Sequence, residues 1–174
     1  MILRNLCILG LSAMALAACG GDSSETTAPA DATEAPATSA ALTLDGEGLR
    51  TPAGLIAFGA PAADAVAAAT SALGSEPATT ANADCPTGAT EDYAWGNKLA
   101  VITRDGAFIG WHSSESGPMT SSGLHTGSAK TDATEVVPSN FEQTQILVDG
   151  VSGFLNADNE TIGVLYSGDT CIAS

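Results

Sequence analysis

His112 and His125 are the only imidazoles in the 174-residue chain, and Glu115 lies between them in a serine-rich stretch. Two imidazoles and a carboxylate form a donor set that zinc accepts. The histidines do not stand at a spacing that zinc sites use, so they read as loop-edge residues with no metal expected. A serine hydrolase of the α/β type would carry a Gly-x-Ser-x-Gly elbow, and the chain has none. Ser128-Ala129-Lys130 has the wrong spacing for a Ser-x-x-Lys pair. Glu91 and Asp92 are adjacent, and neighbours on an extended segment point to opposite faces. They are therefore not a ready acid–base pair. Asp158, Asn159 and Glu160 offer oxygens of the kind calcium prefers, but without the Asp-x-Asp-x-Asp-Gly loop they read as a polar turn. There is no glycine-rich phosphate loop. No catalytic residue and no cofactor is expected.

The N-terminus is more specific. Met1 to Asn5 carries a single charge, Arg4, and Leu6 to Ala17 carries none. That is the order of a secretory leader. The apolar run of about 12 residues is too short for a hydrocarbon core that needs about 20. It ends in Leu16-Ala17-Ala18-Cys19. Aliphatic, small, small, Cys resembles the lipobox of bacterial lipoproteins at every position. The resemblance implies cleavage after Ala18 and a diacylglycerol thioether on Cys19, with palmitate-type acylation. More than one acyl chain gives stable anchoring without a transmembrane helix. It also implies the cell envelope. Gly20 follows Cys19, rather than the Asp that marks inner-membrane retention. In a diderm cell that favours the outer membrane, facing the periplasm. In a monoderm cell the anchor would sit in the outer face of the cell membrane.

On that reading Cys7 leaves with the leader and Cys19 carries lipid, so Cys85 and Cys171 are left. An even pair in an oxidising compartment predicts one disulfide. Such a bond over an 86-residue separation would contribute roughly 4 kcal/mol on the chain-entropy account. Charge narrows the partners further. The chain has a formal net charge of −15, and losing Arg4 leaves four basic residues against 20 acidic ones, a net near −16. Such a surface repels nucleic acid and anionic headgroups. The lipid on Cys19 is then the expected membrane contact, and nucleic acid is not an expected partner.

These residues must be positioned by elements further along. Residues 1–18 read as the lipoprotein signal peptide, 19–40 as a flexible acidic Ala/Thr/Pro-rich tether, and 41–174 as one domain. The tether has no aromatic or large aliphatic side chain between Gly20 and Ala40, too little apolar surface to order itself. Leu42-Thr43-Leu44 alternates before Asp45-Gly46. Leu49 to Phe58 is extended and interrupted at Pro52. Pro61 to Leu73 reads as a helix, with Pro61 at its start and Gly74 at its end. Val66, Ala69, Thr70 and Leu73 fall on one face. Asn82 to Thr90 reads as a loop holding Cys85. Strands are expected at Tyr93–Trp95, Leu99–Thr103 and Ala107–His112, with Asp105-Gly106 as a strong hairpin signal. Ser113 to Gly123 is a polar loop. A second, shorter helix is expected over Ala129–Val137. Strands follow at Gln143–Val148, Val151–Leu155 and Thr161–Ser167.

A helix followed by a strand meander thus occurs twice. The order predicts an α+β fold of two imperfect repeats, each a short helix followed by antiparallel strands. Gly59 to Ala65 and Gly127 to Ala133 share Gly-x4-Asp-Ala at an offset of 68 residues, which supports the duplication. Gly59, Val66, Leu73, Gly74 and Pro77 resemble the helix-opening motif of SmpA/OmlA-type envelope lipoproteins. They are also similar to the repeat of the β-lactamase inhibitory protein. The first resemblance implies outer-membrane assembly, the second a concave sheet that grips a protein. Trp95 and Trp111, each beside a strand glycine, read either as packing residues or as partner-binding ones. The expected function is a lipid-anchored extracytoplasmic module that is non-catalytic and envelope-building or protein-binding. The alternative is a solute- or metal-binding lipoprotein serving a transporter.

Overall fold

The computed structural model describes residues 41–133, 135–137 and 143–172, all within one compact unit, Pro36–Ser174. The alternating start becomes strand β1 (Thr43–Asp45), which pairs antiparallel with β2 (Gly48–Thr51), and β2 pairs with β3 (Gly54–Ala57). Leu44 and Leu49 sit opposite each other and are fully buried. Pro52 stands in the two-residue turn between Thr51 and Gly54. Proline lacks the N–H that a ladder needs, so the interruption seen in the sequence is a hairpin corner.

Helix α1 (Ala62–Leu73) starts after Pro61 and ends at Gly74, whose φ of 70° closes it with an N–H donated to the Thr70 carbonyl. Only glycine enters that left-handed conformation cheaply. Ala65 and Ala69 are fully buried, with Val66, Ala68, Ala72 and Leu73 partly buried beside them. The buried face is therefore turned from the one expected. Its centre is the smallest side chains, which let the helix lie close to the sheet.

Beyond α1 come β4 (Ala78–Asn82), β5 (Thr90–Ala94), β6 (Ala100–Arg104) and β7 (Ala107–Ser113). After a long loop come a 3₁₀ turn (Lys130–Asp132), β8 (Glu135–Val137), β9 (Gln145–Val148), β10 (Val151–Leu155) and β11 (Ile162–Gly168). The eight strands form one sheet in the order β4-β5-β6-β7-β11-β10-β9-β8, antiparallel throughout. Two four-strand meanders therefore meet at β7 and β11. Asp105-Gly106 and Asp149-Gly150 make two of the hairpins. Both residues of each pair have positive φ, at 51° and 77° and at 51° and 80°, as a turn matching strand twist requires.

Two elements differ from the expectation. β4 lies in a segment read without a strand, because Ala-Thr-Thr-Ala-Asn carries no apolar alternation. It is an edge strand, mostly exposed, whose conformation comes from pairing with β5. The helix expected over Ala129–Val137 is a single 3₁₀ turn followed by strand β8. Val136 and Val137 are β-branched and favour strands, and a helix this short does not recover its nucleation cost. The fold is α+β with strands in the majority, one α-helix among the described residues.

The core lies on one face of the large sheet. Val101, Phe108, Trp111, Ile146 and Leu165 pack there with Ala65 and Ala69 of α1 and with Leu44 and Leu49. The β1–β2 turn is pinned to this face. Trp111 Nε1 donates to the Asp45 carbonyl at 3.0 Å, and Ser167 Oγ donates to the Gly46 carbonyl at 2.8 Å. A Cβ on Gly46 would come within 2.5 Å of the Asp149 carbonyl, so only glycine allows this approach.

Candidate functional site

Strand pairing assembles what the sequence keeps apart. Ala94, Ala100, His112, Tyr166, Ser152 and Leu147 are successive register partners across the large sheet. Side chains alternate along a strand, so this row lies on the face opposite Trp111 and the helix. His112 and Tyr166 face each other at the β7–β11 seam. Tyr166 accepts a hydrogen bond from Gln145 Nε2 at 3.0 Å and stacks on Phe154, with ring centroids 5.6 Å apart. Burial raises the Tyr166 phenol above its usual value, against hydrogen bonds with Ser152 and Gln145. Burial holds the His112 imidazole below its usual value, while the charge of Asp92 pulls the other way. The row therefore pairs a largely neutral imidazole with a protonated phenol at neutral pH. That is hydrogen-bonding chemistry set in an apolar surround.

The two histidines are not brought together. Ser113, next to His112, hydrogen-bonds Thr126, next to His125. Ser113 therefore faces the loop that carries His125, and His112 faces the other side of the sheet. His125 spends Nδ1 on the Thr126 carbonyl at 2.9 Å. Glu115 is exposed, and Ser128 uses its hydroxyl to accept the His125 N–H. Glu91 receives a 3.4 Å hydrogen bond from Tyr93, while its neighbour Asp92 acts on His112, so the adjacent carboxylates serve different faces. The Asp158 carboxylate accepts from the Glu160 and Thr161 backbone and the Thr161 hydroxyl. Those backbone N–H groups hold it below its usual value, and the bonds close the turn between β10 and β11.

Both tryptophans are interior. Trp111 is 0% exposed and Trp95 5%. Trp95 Nε1 donates to the Ser75 carbonyl at 2.7 Å, tying β5 to the end of α1. Each indole thus has its polar atom satisfied and its rings in the core.

Cys85 and Cys171 form the expected disulfide, with Cα atoms 5.6 Å apart. The bond joins the β4–β5 connection to the segment after β11. Arg104 braces it. Its guanidinium pairs with Asp169 at 2.9 Å and donates to Thr87 at 2.6 Å. Burial works to raise the Asp169 carboxyl, but hydrogen bonds with Thr87 and Arg104 outweigh it and hold the group below its usual value. Sequence reasoning missed this corner, since 65 residues separate Arg104 from Asp169. Cys85, Asp169 and Cys171 are also the one cluster of potential metal donors among the described residues. With both sulfurs in the disulfide, the cluster offers no thiolate.

Leu16 to Cys19 and the tether of residues 20–40 lie outside the described residues. Among the described residues no helix is long and apolar enough to cross a membrane. Compared with known proteins, the chain matches no family model, no curated protein and no solved structure.

Proposed function

We propose that this chain is an exported lipoprotein, anchored through Cys19, whose domain is a non-catalytic binding module of the cell envelope. The observation that carries the reading is the Cys85–Cys171 disulfide. It accounts for both thiols of the domain and belongs to an oxidising compartment. That leaves Cys19, directly behind an apolar leader, as the remaining cysteine of the mature chain. One sheet face carries the His112 imidazole beside the Tyr166 phenol, with the stacked Tyr166 and Phe154 rings buried at 7% and 5% exposed.

A finer reading of the fold supports a binding role. We infer that the domain is two diverged copies of one unit at the 68-residue offset. The supporting observation is a repeated hydrogen-bond pattern. Gly59 N–H donates to the Phe108 carbonyl, Phe108 N–H to the Ala60 carbonyl, and Ala62 N–H to the Gly106 carbonyl. Gly127 N–H likewise donates to the Ile162 carbonyl, Ile162 N–H to the Ser128 carbonyl, and Lys130 N–H to the Glu160 carbonyl. Gly59 and Gly127 both have positive φ, 90° and 98°. Each four-strand meander also carries one register shift between its third and fourth strands. Two units sharing one sheet is the arrangement that the resemblance to the β-lactamase inhibitory protein implies, and there the sheet grips a protein.

The test is metabolic labelling with a tagged fatty acid in a bacterium that acylates lipoproteins. The protein should carry the label and fractionate with membranes, and Cys19→Ser should lose both. An unlabelled, freely soluble wild-type protein would refute the proposal.

A further inference from the structure

The Cys85–Cys171 bond has unlike surroundings at its two ends. Cys85 is 7% exposed, and Arg104 Nη2 lies 3.8 Å from its Sγ, with the Thr87 hydroxyl at 3.2 Å. A disulfide sulfur is a weak, neutral acceptor, so the guanidinium gains little from it while the bond is closed. A thiolate in the same place would make that contact charge-assisted and draw the Thr87 proton. Cys171 is partly exposed, next to exposed Ile172. Its φ of 59° lies in the left-handed region, which a residue with a Cβ enters only when the surrounding structure holds it there. The cross-link is one of those constraints. Asp169 lies within 4.8 Å of both sulfurs. Its charge is already met by Arg104 at 2.9 Å, by the Thr87 hydroxyl and by the Cys171 N–H, so it offers little repulsion to an incoming thiolate.

We propose that this bond is a site of thiol–disulfide exchange, opened by an external dithiol that attacks Cys171 and expels Cys85. The chemistry is independent of whether Cys19 is lipidated. One thiolate of the dithiol bonds to Cys171 Sγ, and the electron pair of the Cys85–Cys171 bond leaves on Cys85. The dithiol's second sulfur then attacks its own partner in the mixed disulfide, closing the dithiol into a disulfide and releasing Cys171. Two electrons pass from the dithiol, which is oxidised, to the cysteine pair, which is reduced. The dithiol's protons pass to the released sulfurs or to water. The direction follows from access and from the leaving group, since exchange depends on which sulfur is attacked and on how well the other leaves. Cys171 is the more accessible sulfur, and Cys85 leaves beside a guanidinium. Opening unties the β4–β5 connection from the segment after β11, next to the exposed edge strand β4. The bond is closed at rest and opens where a dithiol is supplied, so the corner senses reducing equivalents.

The experiment exposes the purified, folded protein to glutathione without denaturant, then to excess iodoacetamide. Glutathione has one thiol and stops at the mixed disulfide. Peptide mapping should find glutathione on Cys171 and the alkyl group on Cys85, favoured about tenfold over the reverse. With dithiothreitol as the dithiol, Arg104→Met should slow opening about tenfold, and Arg104→Lys should restore most of the rate. If Arg104 were a brace alone, its loss would speed opening instead. Thr87→Val, which spares the Arg104–Asp169 pair, should also slow opening, by less. Glutathione on Cys85, equal labelling of the two cysteines, no opening without denaturant, or faster opening in either Arg104→Met or Thr87→Val would overturn the exchange site.

Discussion

The two halves of the large sheet are entered in the same way and covered differently. The β4–β7 half is preceded by a 12-residue helix, and the β8–β11 half by a 3₁₀ turn of three residues. Both leading segments make matching hydrogen bonds to the fourth strand of their half. Over the first half, α1 supplies the apolar cover. At the β7–β11 seam, the β1–β2 turn sits on Trp111 and Ser167. The corner is local chemistry, a glycine with positive φ and two strands in register. The cover is whatever apolar element can reach the sheet. The two corners share their hydrogen bonds although one opens into a helix and the other into a single turn.

The largest effect should come from the buried face of the sheet beneath the cover. Phe108→Ala removes a fully buried ring that packs against Phe58 at 5.1 Å and should cost about 3–5 kcal/mol in urea unfolding. Ile162→Ala, at the matching place in the other half, removes less volume and should cost less. A reversed order would show that the second half holds the better-packed core. Next is the cross-link. Replacing both Cys85 and Cys171 with serine should cost about 2–5 kcal/mol, read as a lower urea midpoint, while the wild type should fall to the same midpoint in reductant.

Gly59→Ala and Gly127→Ala probe the corners directly. A Cβ at either position meets nothing within 4 Å, so each change should cost only backbone strain, about 1–2 kcal/mol. Near-equal costs would sharpen the equivalence of the two halves, and clearly unequal costs would break it. The smallest effect is at the seam. His112 titrates lower in the folded state than its ordinary value of about 6.5, so the unfolded chain binds the proton first. Its contribution is full above that value and declines as pH falls through it toward the folded value. His112→Gln should flatten this part of the stability profile, as read from thermal midpoints between about pH 7.5 and 5. An unchanged slope would remove His112 as its source.

Local chemistry made the hairpins legible. Asp105-Gly106 and Asp149-Gly150 specify their turns whatever surrounds them, and Pro61 and Gly74 bracket α1 in the same way. β4 was not legible because its conformation is supplied by β5. The stretch from Ala129 to Val137 misled because its first residues suit a helix, while Ala129 bridges to Thr161 and draws the chain into the sheet. The disulfide followed from counting cysteines once Cys7 and Cys19 were assigned. The Arg104–Asp169 brace and the His112–Tyr166 seam depend on which strands adjoin, and no local pattern encodes that. Trp95 and Trp111 read from the sequence first as packing residues, with partner binding the alternative, and burial decided for the core.

The most direct test of the account is the intact mass of the protein from the membrane fraction, with thiols alkylated before and after reduction. The account predicts a chain beginning at Cys19 that carries a diacylglycerol thioether. It should take no alkyl group before reduction and two after it. An unprocessed or unlipidated chain, or free thiols at Cys85 and Cys171 before reduction, would contradict it.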